Sequence, residues 1–431
     1  MPFRPTLISL SFLALAQGAC AATLPAPDGP FGVGLVRGEF VDTTRRMDVD
    51  AADSGPRQLP SLVWYPAEGR AAEGGAPYLS PERAAPTLAA LGRTFGFNEG
   101  DLQPVAQARV AVREGARPLR RAGGFPVVVF SHGLLLYPEQ NSALAARLAS
   151  HGYIVVSTAH PLDAADQRMA DGRVVAADFS TAKDDPRYLP AFGTLVTGEG
   201  LKDRREALGI YAASIGATRM GRSVAEWRAD TLSVAQAIVS QREPAALRDV
   251  LAAADRTRLA FAGMSFGGAT SATACRRVPA CRAAVNLDGQ NFDPKLFDAP
   301  VGRPLLLMLS DWTRYSLFKG QTREADFSPN DLAYEPWAST GTDPAVTRVR
   351  MTGGRHMAFT DFAALLVSDK REARIGEIGG AEALLAVSDL VLAFLDVQVK
   401  GGSADQVEQV LRRHAALQRH VPRRMQGWSE R

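Results

Sequence analysis

Short apolar runs recur along the chain, separated by stretches long enough for helices. The clearest occupy residues 125–130, 154–157, 259–262, 283–287 and 305–309, and residues 346–351 read as a last short strand. Runs without polar alternation belong to strands covered on both faces, the situation of a parallel sheet between helix layers. Residues 142–150 are rich in alanine and leucine, and residues 224–241 and 381–399 carry helical periodicity. Strand, helix, strand in this order predicts an α/β architecture with a mostly parallel central sheet flanked by helices. Residues 59–65 read as a further core strand stopped by Pro66. Ser80 followed by Pro81 predicts a helix start, with helix over residues 80–95.

Three segments do not fit this rhythm. Residues 23–53, rich in Gly, Pro and Asp, predict a loop-rich start with one edge strand at 33–36. Residues 163–221 are polar without a clear strand, and predict an insertion over the C-terminal strand ends, where such folds carry caps and substrate loops. Residues 412–431 are arginine-rich and predict a solvated helix and coil. No internal repeat or second domain is delimited, so residues 23–431 are expected to form one domain.

With 431 residues and 46% hydrophobic content, the chain can bury a large core. A net charge of +3 gives no reason to expect a nucleic-acid partner. Arg4, the apolar residues 7–16 and the small residues 18–22 match the three regions of a secretory signal, so residues 1–22 are expected to be removed on export to the periplasm or medium. The apolar run is too short to span a bilayer. Acylation of Cys20 is the alternative, although Gln17 stands where an aliphatic residue is expected. Cleavage would leave Cys275 and Cys281, an even pair expected to form a disulfide in an exported chain; two buried thiols are the other reading.

The candidate chemistry centres on Gly263-Met264-Ser265-Phe266-Gly267-Gly268, which joins the apolar run 259–262 to the small-residue stretch 269–274. Strand, sharp turn, helix is the setting of a G-x-S-x-G nucleophile elbow, with Ser265 exposed above the sheet. A serine nucleophile needs a base, and the base needs an orienting acid. His132, His151 and His160 precede the serine, and His414 and His420 lie in the basic tail. His356, on a Gly-rich loop after the run 346–351, fits the order Ser, acid, His. Asp288, after the run 283–287, and Asp311, after 305–309, both qualify as the acid. Charge developing on an ester oxygen calls for two N–H donors, expected from Phe266 and from Leu134 in the loop opened by Ser131-His132-Gly133. His132 is expected to shape that loop rather than to transfer protons.

Together, Phe130-Ser131-His132-Gly133-Leu134, Gly263 to Thr270 (GMSFGGAT), Asn286-Leu287-Asp288, and His356 followed by Asp361-Phe362 resemble the platelet-activating-factor acetylhydrolase family of the α/β-hydrolase superfamily. The resemblance runs in motif order from Leu59 to Leu366 and leaves the insertion unrecognised. It implies an α/β-hydrolase fold with Ser265 as nucleophile, His356 as base, Asp288 as acid, and Leu134 and Phe266 as oxyanion donors. The implied activity is hydrolysis of short-acyl, lipid-like or small esters, without metal or organic cofactor. Cutinase-like polyester hydrolases are also similar and place the acid where Asp311 stands. A non-catalytic binding protein on the same scaffold is the reading from another class.

Overall fold

The computed structural model describes residues 24–48, 51, 53–69, 75–178, 184–197, 201–316, 320, 323–335 and 342–423. The expected signal segment 1–22, with Cys20, lies outside them. Ten strands form the main sheet: β1 (Gly32–Arg46), β2 (Pro56–Ala67), β3 (Arg113–Glu114), β4 (Phe125–Ser131), β5 (Ile154–Thr158), β6 (Ala254–Met264), β7 (Cys281–Leu287), β8 (Leu305–Leu309), β9 (Val346–Met351) and β10 (Leu417–Arg419). Their spatial order is β10-β9-β8-β7-β6-β4-β5-β2-β1-β3. The stretch from β9 to β5 is parallel throughout. β2, β1 and β10 run antiparallel to the neighbours they extend from.

Alternation along each buried strand divides its side chains between two cores. In β4, Val128 and Phe130 enter one and Val127 and Val129 the other; in β6, Ala260, Ala262 and Met264 face away from Leu259 and Phe261. Each large aliphatic side chain removed from water in this way contributes about 1.5–3 kcal/mol. Helices α1 (Pro81–Phe95), α2 (Glu99–Gln107), α3 (Ser142–Ser150) and α8 (Gly380–Lys400) cover the first face. Helices α4 (Tyr188–Thr197), α5 (Leu201–Ile215), α6 (Arg219–Val239) and α7 (Phe266–Cys275) cover the second. This is the α/β-hydrolase architecture.

Strand order reverses between β4 and β6. From β4 the chain passes through α3 to β5 on one side, then returns to lay β6 on the other side of β4 and proceeds away through β7, β8 and β9. The loops leaving β4 and β6 therefore diverge and open a crevice at the carboxyl ends of the strands, where open α/β sheets bind ligands.

The three irregular segments are more ordered than their composition suggests. Residues 23–53 carry a 15-residue strand rather than a short edge strand, and β1 pairs along the whole of β2. Its glycines disguise it: Gly34 lies flat beneath the ring of Tyr65, a place with no room for a side chain. Residues 163–221 hold a two-stranded ribbon, Gln167–Arg168 against Val174–Val175, and are otherwise largely helical. The basic tail is not wholly solvated. Leu417 is buried, β10 pairs with β9, and His420 sits against Trp312 with its Nε2 2.8 Å from Asp331 Oδ2. No helix among the described residues is long and apolar enough to cross a membrane.

Cys275, the last residue of α7, and Cys281, the first of β7, are joined by a disulfide and fully buried. The bridge closes a loop of only six residues' separation, so it restricts the unfolded chain modestly. A chain beginning at Thr23 is expected to show no titratable thiol when denatured without reductant. Cys275→Ser is expected to lower stability by about 2 kcal/mol. Two thiols in the unreduced, denatured protein would contradict the bridge.

Candidate active site

At the end of β6 the backbone turns through Ser265 with φ 54° and ψ −117°, a conformation that a residue with a side chain adopts only under strain. Helix α7 begins at the next residue. Glycine makes so tight a passage feasible: a Cβ on Gly263 would stand 2.3 Å from the Gly267 carbonyl carbon, and one on Gly267 2.3 Å from the Ser131 carbonyl oxygen. The Ser265 amide donates to Leu287 O at 2.8 Å, which ties the turn to the end of β7. Its side chain remains partly exposed at the crevice.

His356 follows β9 and opens a short 3₁₀ turn, His356–Phe359. Its Nε2 lies 2.9 Å from Ser265 Oγ and its Nδ1 2.6 Å from Asp288 Oδ2. The other Asp288 oxygen accepts the Ser310 N–H at 2.7 Å, and the side chain is 1% exposed. Asp288 also has positive φ, 54°, and the turn carrying it is clamped by Asn286, whose side chain pairs with both the N–H and the carbonyl of Gly289. The structure therefore brings Ser265, His356 and Asp288 together. Asp311 does not touch the imidazole. Its Oδ2 accepts the Gly353 N–H at 2.8 Å, its Oδ1 accepts the Thr313 hydroxyl, and its own N–H donates to Gly354 O. Asp311 thus holds the Gly-rich loop that presents His356.

The loop after β4 approaches the same serine, since a Cβ on Gly133 would lie 3.5 Å from Ser265 Cβ. Most of its amides are engaged: Gly133 donates to Gln140 Oε1, Leu135 to Asp163 O and Leu136 to Gly133 O, while Gly267 across the crevice donates to His132 O. Among the described residues, the Leu134 and Phe266 amides have no hydrogen-bond acceptor, and their side chains pack into one cluster with Val224, Trp227, Met220 and Phe292. A further relay couples this loop to the histidine turn. Gln140 Nε2 donates to Asn141 Oδ1, and Asn141 Nδ2 donates to Phe359 O. Gln140 and Asn141 carry no motif, and their part is invisible before the fold brings residues 133 and 359 together.

Behind the loop lies a second Ser-His-Asp array that sequence spacing did not reveal. Ser131 Oγ is 3.1 Å from His160 Nε2, and His160 Nδ1 is 2.9 Å from Asp230 Oδ2. His160 and Asp230 are fully buried, and His160 stacks on Trp227 at 3.9 Å. His160 also donates its backbone N–H to His132 Nε2, and His132 Nδ1 contacts Gly133 O, so His132 shapes the loop as expected. Burial pushes the pKa of both imidazoles down. Burial would raise Asp230, but the charge of Arg57 and hydrogen bonds from His160 and Arg57 outweigh it and hold the carboxyl ionised. Arg57 forks onto Asp230 with contacts of 3.1 and 2.7 Å, and Arg45 adds a third at 2.7 Å.

A sheet with its order reversing beside an elbow serine, an acid and a histidine on later strand-end loops, and two amides without an acceptor among the described residues are the parts an ester-hydrolysing site requires. The family described as platelet-activating factor acetylhydrolase, isoform II, matches residues 23–171, the part that carries β1 to β5 and the Leu134 loop. The chain has the α/β-hydrolase fold. It is similar to the acetylhydrolase family in the stretch matched. Its fold is also similar to that of a ferulic acid esterase from Streptomyces cinnamoneus, with a TM-score of 0.60 and 20% identity over 93% of this chain and 99% of that one.

The buried array yields a stability prediction. Asp230→Asn removes the charge that compensates two guanidinium groups, one of them 2% exposed, and should cost about 3–5 kcal/mol in urea unfolding. A loss under about 1 kcal/mol would show that the arginines are satisfied without it.

Proposed function

We propose that the chain is a carboxylic ester hydrolase that works through Ser265, His356 and Asp288 as a catalytic triad, with the Leu134 and Phe266 amides as oxyanion donors. The observation that carries this reading is the continuous contact from Ser265 Oγ through the two ring nitrogens of His356 to a buried carboxylate. The Ser265 hydroxyl gives its proton to His356 Nε2 as Oγ bonds to the ester carbonyl carbon. The carbonyl oxygen, now negative, accepts from the two amides. Collapse breaks the bond to the alcohol oxygen, which leaves with the proton from His356. Water then repeats the sequence on the acyl-enzyme, releasing the acid and restoring the serine. Asp288 accepts from Nδ1 throughout, fixing the tautomer and offsetting the imidazolium charge.

The substrate class in this reading is a short-acyl, lipid-like or small ester, in line with the acetylhydrolase similarity. Export is part of the same reading. A buried disulfide supports an oxidising compartment, because such bridges persist outside the cytosol.

A fluorophosphonate probe is expected to label Ser265, and Ser265→Ala to lower kcat by several orders of magnitude with the fold intact. Probe labelling of the alanine variant at the original level would remove Ser265 from its role. The acid is tested separately. Asp288→Asn keeps the shape and loses the charge, and the loss should fall within about an order of magnitude of the ~10⁴-fold measured for the same change in a serine protease. Asp311→Asn is expected to stay within about tenfold of the original, because a neutral side chain can still hold the Gly353 amide. If Asp311→Asn is the more damaging change while circular dichroism is unaltered, the acid is Asp311 and the enzyme is closer to the cutinase-like hydrolases.

A further inference from the structure

Helix α4 carries a hollow of about 310 Å³ beside the candidate site, lined by Tyr188, Phe192, Gly193, Val196, Met220 and Phe292 with Leu189 and Thr197 at its sides. The hollow follows from the helix sequence. Leu189, Gly193 and Thr197 are spaced i, i+4, i+8 and so share one stripe, and the residue in the middle of it has no side chain. A Cβ on Gly193 would meet nothing within 4 Å. The neighbouring stripe, Tyr188, Phe192 and Val196, is buried and supplies an aromatic wall, with the Phe192 and Phe292 rings stacked at 5.6 Å.

Two of the lining side chains also belong to the site. Phe292 packs at 5.7 Å on Phe266, the residue after the elbow serine, and Met220 and Phe292 lie in the cluster that holds Leu134 and Phe266. The hollow is therefore one side-chain layer from both amide donors. Among the described residues its lining presents no charged group, so these side chains offer nothing to an ionic headgroup. Leu189, at the rim, is 66% exposed, an apolar residue left in water at the mouth of an apolar hollow.

We infer that this hollow seats the apolar group of the ester, a single medium-length alkyl chain or one aromatic ring. The inference rests on the proposed esterase reading and specifies its substrate. The volume is at the lower end of the range for small-molecule sites, about 300–1,000 Å³, and excludes a pair of long chains. An alkyl group can reach it from the acyl or from the alcohol side of the ester, and the chemistry required of the hollow is the same.

The test measures kcat/KM along two series: p-nitrophenyl esters from acetate to decanoate, and acetate esters of alcohols from methyl to octyl. The proteins compared are the original chain, Gly193→Leu and, as a control on an exposed face of α5, Gly209→Leu. Leucine is a better helix former than glycine at both positions, so both variants are expected to fold. In the original chain one series should climb about fourfold per methylene until the hollow is full, then level off. The series that climbs tells which side of the ester enters. Gly193→Leu should level off two or three methylenes earlier and lower the ratio of longest to shortest ester at least tenfold. Gly209→Leu should reproduce the original profile.

A profile unchanged by Gly193→Leu, in a protein whose Ser265 still takes the fluorophosphonate, would overturn the hollow and leave the esterase reading standing. Equal profiles shifted by both variants would also overturn it, as an effect not local to the hollow. Absence of both hydrolysis and labelling in the original chain would overturn the two together.

Discussion

The candidate site depends first on how closely three backbones meet at the carboxyl end of β6. Strand β6, helix α7 and the loop after β4 pass one another without intervening side chains, because Gly263 and Gly267 stand at the contacts. The Ser265 strain is sustained by that arrangement: its amide is held by β7, α7 starts at once, and the Gly267 amide is held by His132 O. The reversal of strand order between β4 and β6 supplies the opening into which the strained turn points. Widen the glycine contacts by a methyl group and the serine, its facing amides and the crevice would all shift at once.

The two Ser-His-Asp arrays show how burial assigns different work to the same residue types. Ser265 and His356 are partly exposed at a crevice, with a buried carboxylate behind them. Ser131, His160 and Asp230 are sealed in, stacked against Trp227 and locked by two arginines. A sealed imidazole whose carboxylate is already claimed by guanidinium groups has no access to substrate and no water to exchange with. Its effect is on position: it holds the strand end from which the Leu134 loop departs. Residue inventory alone does not distinguish the two arrays; solvent contact does.

The strands flanking the elbow were legible because they are buried on both faces and read as unbroken apolar runs. Ser265, His356 and Asp288 were legible because local motifs and chain order mark them. The choice between Asp288 and Asp311 was left open by spacing, and the geometry separates them: one carboxylate meets the imidazole, the other a loop amide. Strand β1 was hidden because glycine reads as a breaker, whereas Gly34 is there to clear the Tyr65 ring. Asp230 and Arg57 gave no sign because their pairing spans 173 positions. The same is true of Gln140 and Asn141, whose value lies in contacts made by the fold. The hollow on α4 was unreadable for a related reason. It consists of a missing side chain, which acquires meaning only when the wall opposite is in place.

The strand contributed by the basic tail has a consequence for the rim of the sheet. β10 pairs antiparallel with β9 and is the outermost strand on that side. Without it β9 would present a bare row of amides and carbonyls, the kind of edge that recruits strands from other chains. Residues 417–419 thus serve as the protein's own edge cover, and a charged segment that composition marks for solvent keeps the sheet from being extended by a neighbour.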